Sequence, residues 1–532
     1  MTTKKPTAIR KTIHRQLYIM LLCLLAIGMT TSVFATNLFW VLLVANWVAE
    51  WNWKETFADF RHNHLLHAFL VLAAVHIVWL IGTDNMSYGL FDMQKKLPLL
   101  AIPLVVLTTP APTLRDRRMI GISYVGTVLV VSIIGLVRYL TLIDLPYRDI
   151  VPYISHIRFG LNVCFTMVLL VYTCIKYRRP WIYCLNILLM LWLCLFLMML
   201  HAYTAFIILP VIAVAMLLFY GKKLTAAARW VLILAVAAVV IGTGILGLCY
   251  RHDYFHLQSL STEPLKECTV NGNPYVHFHD GLIENGNYVH YYVCEKEMRQ
   301  EWQKRSDMCI DSLTPVGYTV YPALLRYLGA MGVTKDSLGM TQLKAKDIQA
   351  IEKGIANPVY LQHGPRKMFY VLFYEYENYR CFRSVSNFSL LQRIELWQNA
   401  WHLFLEHPLW GVGTGDVVDV CHQRLKETDS PLKDTDLHTH NQYLNFLLAF
   451  GIVGFGVICF FFVRALTRKG RQPALFAAFL CIVLVSFVSE DTLETLAGIM
   501  FCVMGFCLLP RRNTANKAQM AAEKTPTPTT QQ

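Results

Sequence analysis

Apolar residues gather along the chain into twelve runs, at 17–32, 35–49, 64–81, 97–109, 119–143, 159–175, 181–200, 203–220, 230–249, 442–463, 473–488 and 495–509. Most are long enough to cross about 30 Å of hydrocarbon as a helix, and a helix is the open-chain form that satisfies every backbone polar group there. The pattern therefore predicts an all-α polytopic membrane protein with about twelve spans. Its expected divisions are 1–249 (nine spans), a polar segment at 250–441, 442–510 (three spans) and a disordered tail at 511–532. The run at 97–109, which holds Pro98 and Pro103, is short, and the first two runs could form one hairpin. The basic lead, apolar core and small-residue end of the N-terminus resemble a signal peptide. We expect an uncleaved first helix, because many spans follow.

Composition agrees with this class: 55% of the residues are hydrophobic, 16% are charged and the mean hydropathy is +0.41. A formal net charge of +13 could suggest nucleic acid. Its placement points instead to topology, since much of the Lys and Arg excess lies in short loops and tails. Alternate loops carry Arg115, Arg117 and Arg118; Lys176, Arg178 and Arg179; Lys222, Lys223 and Arg229; Arg464, Arg468, Lys469 and Arg471; and a final Arg511 and Arg512. Assigning these to the cytoplasm puts both termini inside and the segment 250–441 outside. Lys95 and Lys96 are the exception on the outer side. Trp302, the Tyr318 and Tyr321 pair and the aromatic run from Tyr370 to Tyr379 predict packed helical structure in the outer segment.

Most of the fifteen cysteines fall in apolar spans, where Cys behaves as a small hydrophobe. Cys268, Cys294, Cys309, Cys381 and Cys421 lie in the outer segment, and their odd number specifies no pairing. GVGTGD at 411–416 lacks the Lys-Ser or Lys-Thr end of a phosphate loop and reads as a tight turn. His277, His279, Asp280 and His290, or the His438 and His440 pair, could ligate a metal, but neither set has a recognisable zinc spacing.

The topology collects other polar residues on the outer face. His440 opens the tenth span in HTHNQYLNF, with His438 and Asn441 beside it, and suits proton transfer near neutrality. The alternative is a histidine that anchors a helix end among lipid headgroups. His156 and Arg158 open the sixth span, Arg138 closes the fifth, and Glu490, Asp491 and Glu494 fill the last outer loop. Arg393 starts an amphipathic stretch in the outer segment. Arginine forks bind phosphate oxygens, so Arg158 and Arg393 suit a membrane-anchored diphosphate, although arginines near helix ends also snorkel to headgroups and the acidic loop could simply pair with them.

The blocks RIELW from Arg393, HPLWGVGTG from His407, and His440, Asn441, Gly451 and Gly454 at H-N-x9-G-x2-G spacing resemble the O-antigen ligase family of bacterial membrane glycosyltransferases. SHIRFG from Ser155 and SEDTLE from Ser489 look like blocks in other such proteins, as does the stretch 284–306. Where some members carry S-R-T-G on a middle span, this chain has His201, Ala202, Tyr203, Thr204 and Ala205, so that arginine has no counterpart. The resemblance implies a GT-C-like fold and a metal-independent, cofactor-free inverting transfer at the periplasmic face of the inner membrane. The donor is a glycan on undecaprenyl diphosphate and the acceptor is lipid A-core; other partners are membrane lipids, and no nucleic acid is expected. It makes His440 the base toward the acceptor hydroxyl and Arg393 the diphosphate ligand. The topology adds Arg158, His156, Arg138, Asn441, His438, Glu490 and Asp491 as substrate-binding candidates. Polymerisation of lipid-linked repeats and protein O-glycosylation are alternatives within the family; lipid-linked glycan transport and a scaffold role are alternatives outside it.

Overall fold

A computed structural model describes residues 5–50, 60, 63–142, 146–220, 226–262, 264–362, 364–382, 389–435, 437–466 and 473–509. The tail beyond 510 and the basic residues at 222, 223, 468, 469, 471, 511 and 512 lie outside them. Each of the twelve apolar runs falls on a helix over most of its described residues. They form α1 (Lys5–Thr31), α2 (Val33–Glu50), α3 (His64–Val78), α4 (Met86–Thr108), α5 (Leu114–Thr141), α6 (His156–Tyr177), α7 (Pro180–Met199), α8 (Tyr203–Tyr220) and α9 (Ala226–Phe255). Then follow α10 (Ser259–Thr262), α11 (Glu295–Gln303), α12 (Val320–Ala330), α13 (Ser337–Thr341), α14 (Ala345–Glu352), α15 (Pro365–Phe382), α16 (Ser389–Glu406) and α17 (Val417–Glu427). The last apolar runs are α18 (Gln442–Leu466), α19 (Pro473–Ser489) and α20 (Leu496–Leu508). Among the described residues, six helices are long and apolar enough to cross a membrane and four further apolar helices are shorter. The architecture is an all-α polytopic membrane protein.

The chain divides into two compact units. One comprises 1–236, 396–428 and 436–532; the other comprises 237–395 and 429–435. In the first, α1 packs on α2 and α5, α3 on α18, α4 on α20, and α19 on α6 and α8. Buried Leu, Phe, Val and Ile side chains from these helices form one continuous core that includes Phe159, Phe196 and Phe479. Local polar chemistry sets several helix starts. Asn63 accepts from the Leu66 amide, Thr113 and Asp116 form a capping box, and Thr495 accepts from the Gly498 amide.

The second unit packs α11, α12 and α14 around Trp302, Leu324 and Tyr327. It also holds an antiparallel pair, β1 (Ile283–Glu284) and β2 (Asn287–Tyr288). Fully buried Glu284 is ion-paired to Arg326 at 2.7 Å and accepts from Asn357 at 2.7 Å and from the Tyr370 hydroxyl. A buried carboxylate persists only with such partners. The histidines of 277–290 are held by local contacts: His290 lies 2.7 Å from Asp280, and the His277 ring accepts from the Tyr292 amide. None of the fifteen cysteines forms a disulfide among the described residues.

Candidate active site

His440 is one of few non-glycine residues in the left-handed region, at φ +47°. Such a conformation costs about 1 kcal/mol or more and persists where the surroundings impose it. Asn441 supplies part of that constraint by accepting from the Tyr443 and Leu444 amides at 3.0 and 3.1 Å, which caps α18. His440 therefore stands at the mouth of the helix, 30% exposed, with Nδ1 3.9 Å from the Asp491 carboxylate. This separation exceeds a hydrogen bond but keeps a negative charge beside the ring, where it stabilises an imidazolium formed when the ring takes a proton.

Asp491 belongs to a loop, 490–495, that three helices hold. From α6, Arg158 lies 3.6 Å from Glu490 and 3.4 Å from Asp491, and donates to the Asp491 carbonyl at 3.2 Å and the Thr492 hydroxyl at 3.3 Å. From α18, Gln442 donates to Glu494 at 3.1 Å and accepts from the Leu493 amide at 2.7 Å. From α4, Lys96 reaches Glu494 at 2.8 Å and Asp92 at 2.7 Å. Burial opposes the Glu494 charge, but Lys96 and the Gln442 amide hold its carboxyl well below the ordinary carboxylate range. The buried charges around this loop comprise three carboxylates, Asp92, Glu490 and Asp491, against two cations, Lys96 and Arg158, and half-buried Glu494 adds a fourth carboxylate. The balance is negative, softened by half-buried Lys95 at 3.7 Å from Asp92.

Ligand atoms of His440, Glu490 and Asp491 lie within 4.8 Å of one another, a grouping able to hold a metal ion. Arg158 already supplies positive charge to the same two carboxylates.

A second feature explains the glycine spacing. At Gly451 the backbone leaves the helical region, at φ +60° and ψ −170°, and breaks α18. Strand-like contacts from the preceding loop fill the break: Ile452 and Val453 donate to the Pro408 and Leu409 carbonyls at 2.9 and 3.2 Å, and Val412 and Gly413 donate to the Leu448 and Ala449 carbonyls at 2.9 and 3.0 Å. A Cβ at Gly451 would sit 2.2 Å from the Leu409 oxygen, and one at Gly411 would sit 2.5 Å from the Leu448 oxygen. Thr414 then donates from its amide to the Trp79 carbonyl and from its hydroxyl to the His76 carbonyl, at 3.0 and 2.7 Å. Asp416 accepts from the Asp84 and Asn85 amides at 2.9 and 2.8 Å. GVGTGD is thus a turn, as its residues imply, and it also splices a loop into a broken helix.

The first unit brings together His440, Asn441, Arg158, Glu490 and Asp491. His438 and Asp491 line a cavity of about 180 Å³ together with residues of α3, α4, α17 and α18. His156 is half-buried at the start of α6. Arg138 donates to the Asp149 carbonyl at 3.2 Å, tying the end of α5 to the following turn. Arg393 lies in the second unit, where its charge acts on Glu375. Burial pushes that carboxyl up to about 7, against the opposing effects of the Leu390 amide and Arg393. Lys96, Asp92 and Gln442 were not among the sequence candidates. Lys96 had nevertheless left a signal as the charge that violated the loop pattern: it is buried among carboxylates, so it reports a site and not an orientation.

A comparison with curated proteins finds no match. Residues 354–459 match the family model described as O-antigen ligase. The matched segment contains Arg393, the spliced loop, His440, Asn441, Gly451 and Gly454, and this match supports an O-antigen ligase family assignment.

Proposed function

We propose that this family member transfers a glycan from an undecaprenyl diphosphate carrier to lipid A-core at the periplasmic face of the inner membrane, with both termini cytoplasmic. The family assignment supports ligase- or polymerase-type glycosyl transfer in general. The observation that carries the finer reading is His440, held in a left-handed conformation at the mouth of α18 with Asp491 behind its ring.

In this reading, His440 takes the proton from the acceptor hydroxyl as the oxygen attacks the anomeric carbon of the donor sugar. The bond from that carbon to the diphosphate oxygen breaks with its electron pair, and attack from the opposite side inverts the configuration. Asp491 stabilises the imidazolium, and Arg393 neutralises the departing diphosphate. Arg158 is engaged by Glu490, Asp491 and Thr492, so we assign it a positioning role for the Asp491 loop.

The test is glycan transfer in membranes containing matched levels of wild type or His440→Ala, supplied with lipid-linked glycan and purified lipid A-core. Modification of the core by wild type and its loss in the variant is the expected result. A wild type that lengthens the lipid-linked glycan and leaves the core untouched replaces ligation with polymerisation, and wild type that changes neither refutes transfer to these acceptors.

A further inference from the structure

The cavity that opens beside Asp491 and His438 carries a feature that the transfer step leaves unused. His76 of α3 is 2% exposed and lines it. Its Nδ1 lies 2.8 Å from the Leu72 carbonyl, which only accepts, so Nδ1 carries the hydrogen. In the neutral ring Nε2 is then an acceptor, and it is buried with no hydrogen-bond partner among the described residues. The ring is clamped edge-on against Phe450 and Phe446, at centroid distances of 4.8 and 6.3 Å. A fixed, buried acceptor with no donor is costly unless a ligand or water supplies one.

We infer that this cavity is a subsite for one sugar ring of the acceptor, with His76 Nε2 accepting from a ring hydroxyl. The inference rests on the transfer reading and names the substrate group that lies next to the base. Three observations select a neutral sugar. The volume, about 180 Å³, falls below the roughly 300–1,000 Å³ of pockets for drug-sized ligands and suits a single ring. The walls combine apolar faces, Phe446 and Phe450, with hydroxyl-binding groups: Asp92 and Glu494 accept, while Lys96 and Asn445 donate. Among the charged residues that line it, the carboxylates Asp92, Asp491 and Glu494 outnumber the cations Lys95 and Lys96, a balance that repels a diphosphate but accepts hydroxyl donors.

The experiment measures equilibrium binding to the full chain in lipid nanodiscs of two probes, a deacylated lipid A-core oligosaccharide and undecaprenyl diphosphate. His76→Phe keeps the aromatic packing and removes the acceptor, and Val418→Trp fills the cavity from α17. Each variant is expected to weaken oligosaccharide binding about tenfold, the loss of one buried hydrogen bond or of the ring's room, with undecaprenyl diphosphate affinity unchanged. Retained undecaprenyl diphosphate binding also certifies the fold of each variant. The inference is overturned if both variants bind the oligosaccharide as wild type does, if wild type does not bind it saturably, or if only carrier-lipid binding falls, which assigns the cavity to the donor. Saturable, variant-sensitive oligosaccharide binding by a wild type that transfers no glycan leaves the subsite standing and removes the transfer reading.

Discussion

Replacing Gly451 with alanine isolates the splice between α18 and the 407–414 loop. The residue sits at φ +60°, ψ −170°, a region that only glycine occupies at low cost, and an alanine there carries about 1–3 kcal/mol of backbone strain. Its Cβ also meets the Leu409 oxygen at 2.2 Å, the Leu409 carbon at 2.3 Å and the Trp410 nitrogen at 2.6 Å, all backbone atoms that cannot rotate away. Relief requires withdrawing the loop, which endangers the hydrogen bonds of Ile452, Val453, Val412 and Gly413, each about 0.5–1.5 kcal/mol. The sum is about 3–9 kcal/mol. At roughly 1 °C per kcal/mol for a chain of 532 residues, Gly451→Ala should lower Tm by about 3–9 °C when melting in nanodiscs is followed by tryptophan fluorescence. Glycan transfer should fall as well, since the same helix begins at Gln442 and is capped by Asn441 beside His440. Gly456 is the control: five residues on in α18, its Cβ position is open, and alanine there should be neutral or stabilise by up to about 1 kcal/mol. Equal melting of the two variants would refute the splice as a structural requirement.

Two further substitutions test buried charge. Lys96→Met leaves Asp92 and Glu494 without their shared cation, and should cost about 3–5 kcal/mol in the same melting assay; adding Glu494→Gln should recover part of that loss, and a double variant no better than the single one refutes the pairing. Glu375 has its carboxyl raised from 4.5 to about 7 by burial, so the folded chain binds more protons there than the unfolded chain across that window. Its contribution to stability is therefore lost as pH rises from about 4.5 to 7. The Tm of Glu375→Gln relative to wild type should climb over the same range, and a difference independent of pH excludes the effect.

The features that the sequence reveals are those set by local order. Long apolar runs became helices because a backbone in hydrocarbon has few alternatives. His440 was legible because a titratable group at the mouth of an apolar helix stands out against its neighbours. Tertiary contacts decide the rest. The glycine spacing was visible, but nothing near Gly451 in the chain shows that carbonyls from 408 and 409 enter its helix. Arg158 read as a ligand for phosphate because its partners, Glu490 to Thr492, are more than 330 residues away. His76 was hidden for the opposite reason: it lies within a run of apolar residues and passed as part of a span, whereas its significance comes from a cavity built by four other segments.

The loop that carries Asp491 also bears on how the charges divide between the two substrates. Arg158, Gln442 and Lys96 reach it from three helices, so its carboxylates are oriented and largely compensated before any substrate arrives. A catalytic group supported in this way needs little reorganisation during reaction. Compensation of this kind also consumes the local cations. Lys96 and Arg158 are committed to carboxylates, and moving either onto a diphosphate would leave a buried negative charge without its partner, at several kcal/mol. In the proposed reaction the surroundings of His440 therefore suit a neutral hydroxyl, and the leaving diphosphate requires a cation that this network does not hold. Arg393 is our assignment for that cation. Arg393→Lys keeps the charge but loses the planar fork, so it separates the two contributions: a bidentate ligand should lose most transfer on this change, whereas a diffuse electrostatic contribution should survive it.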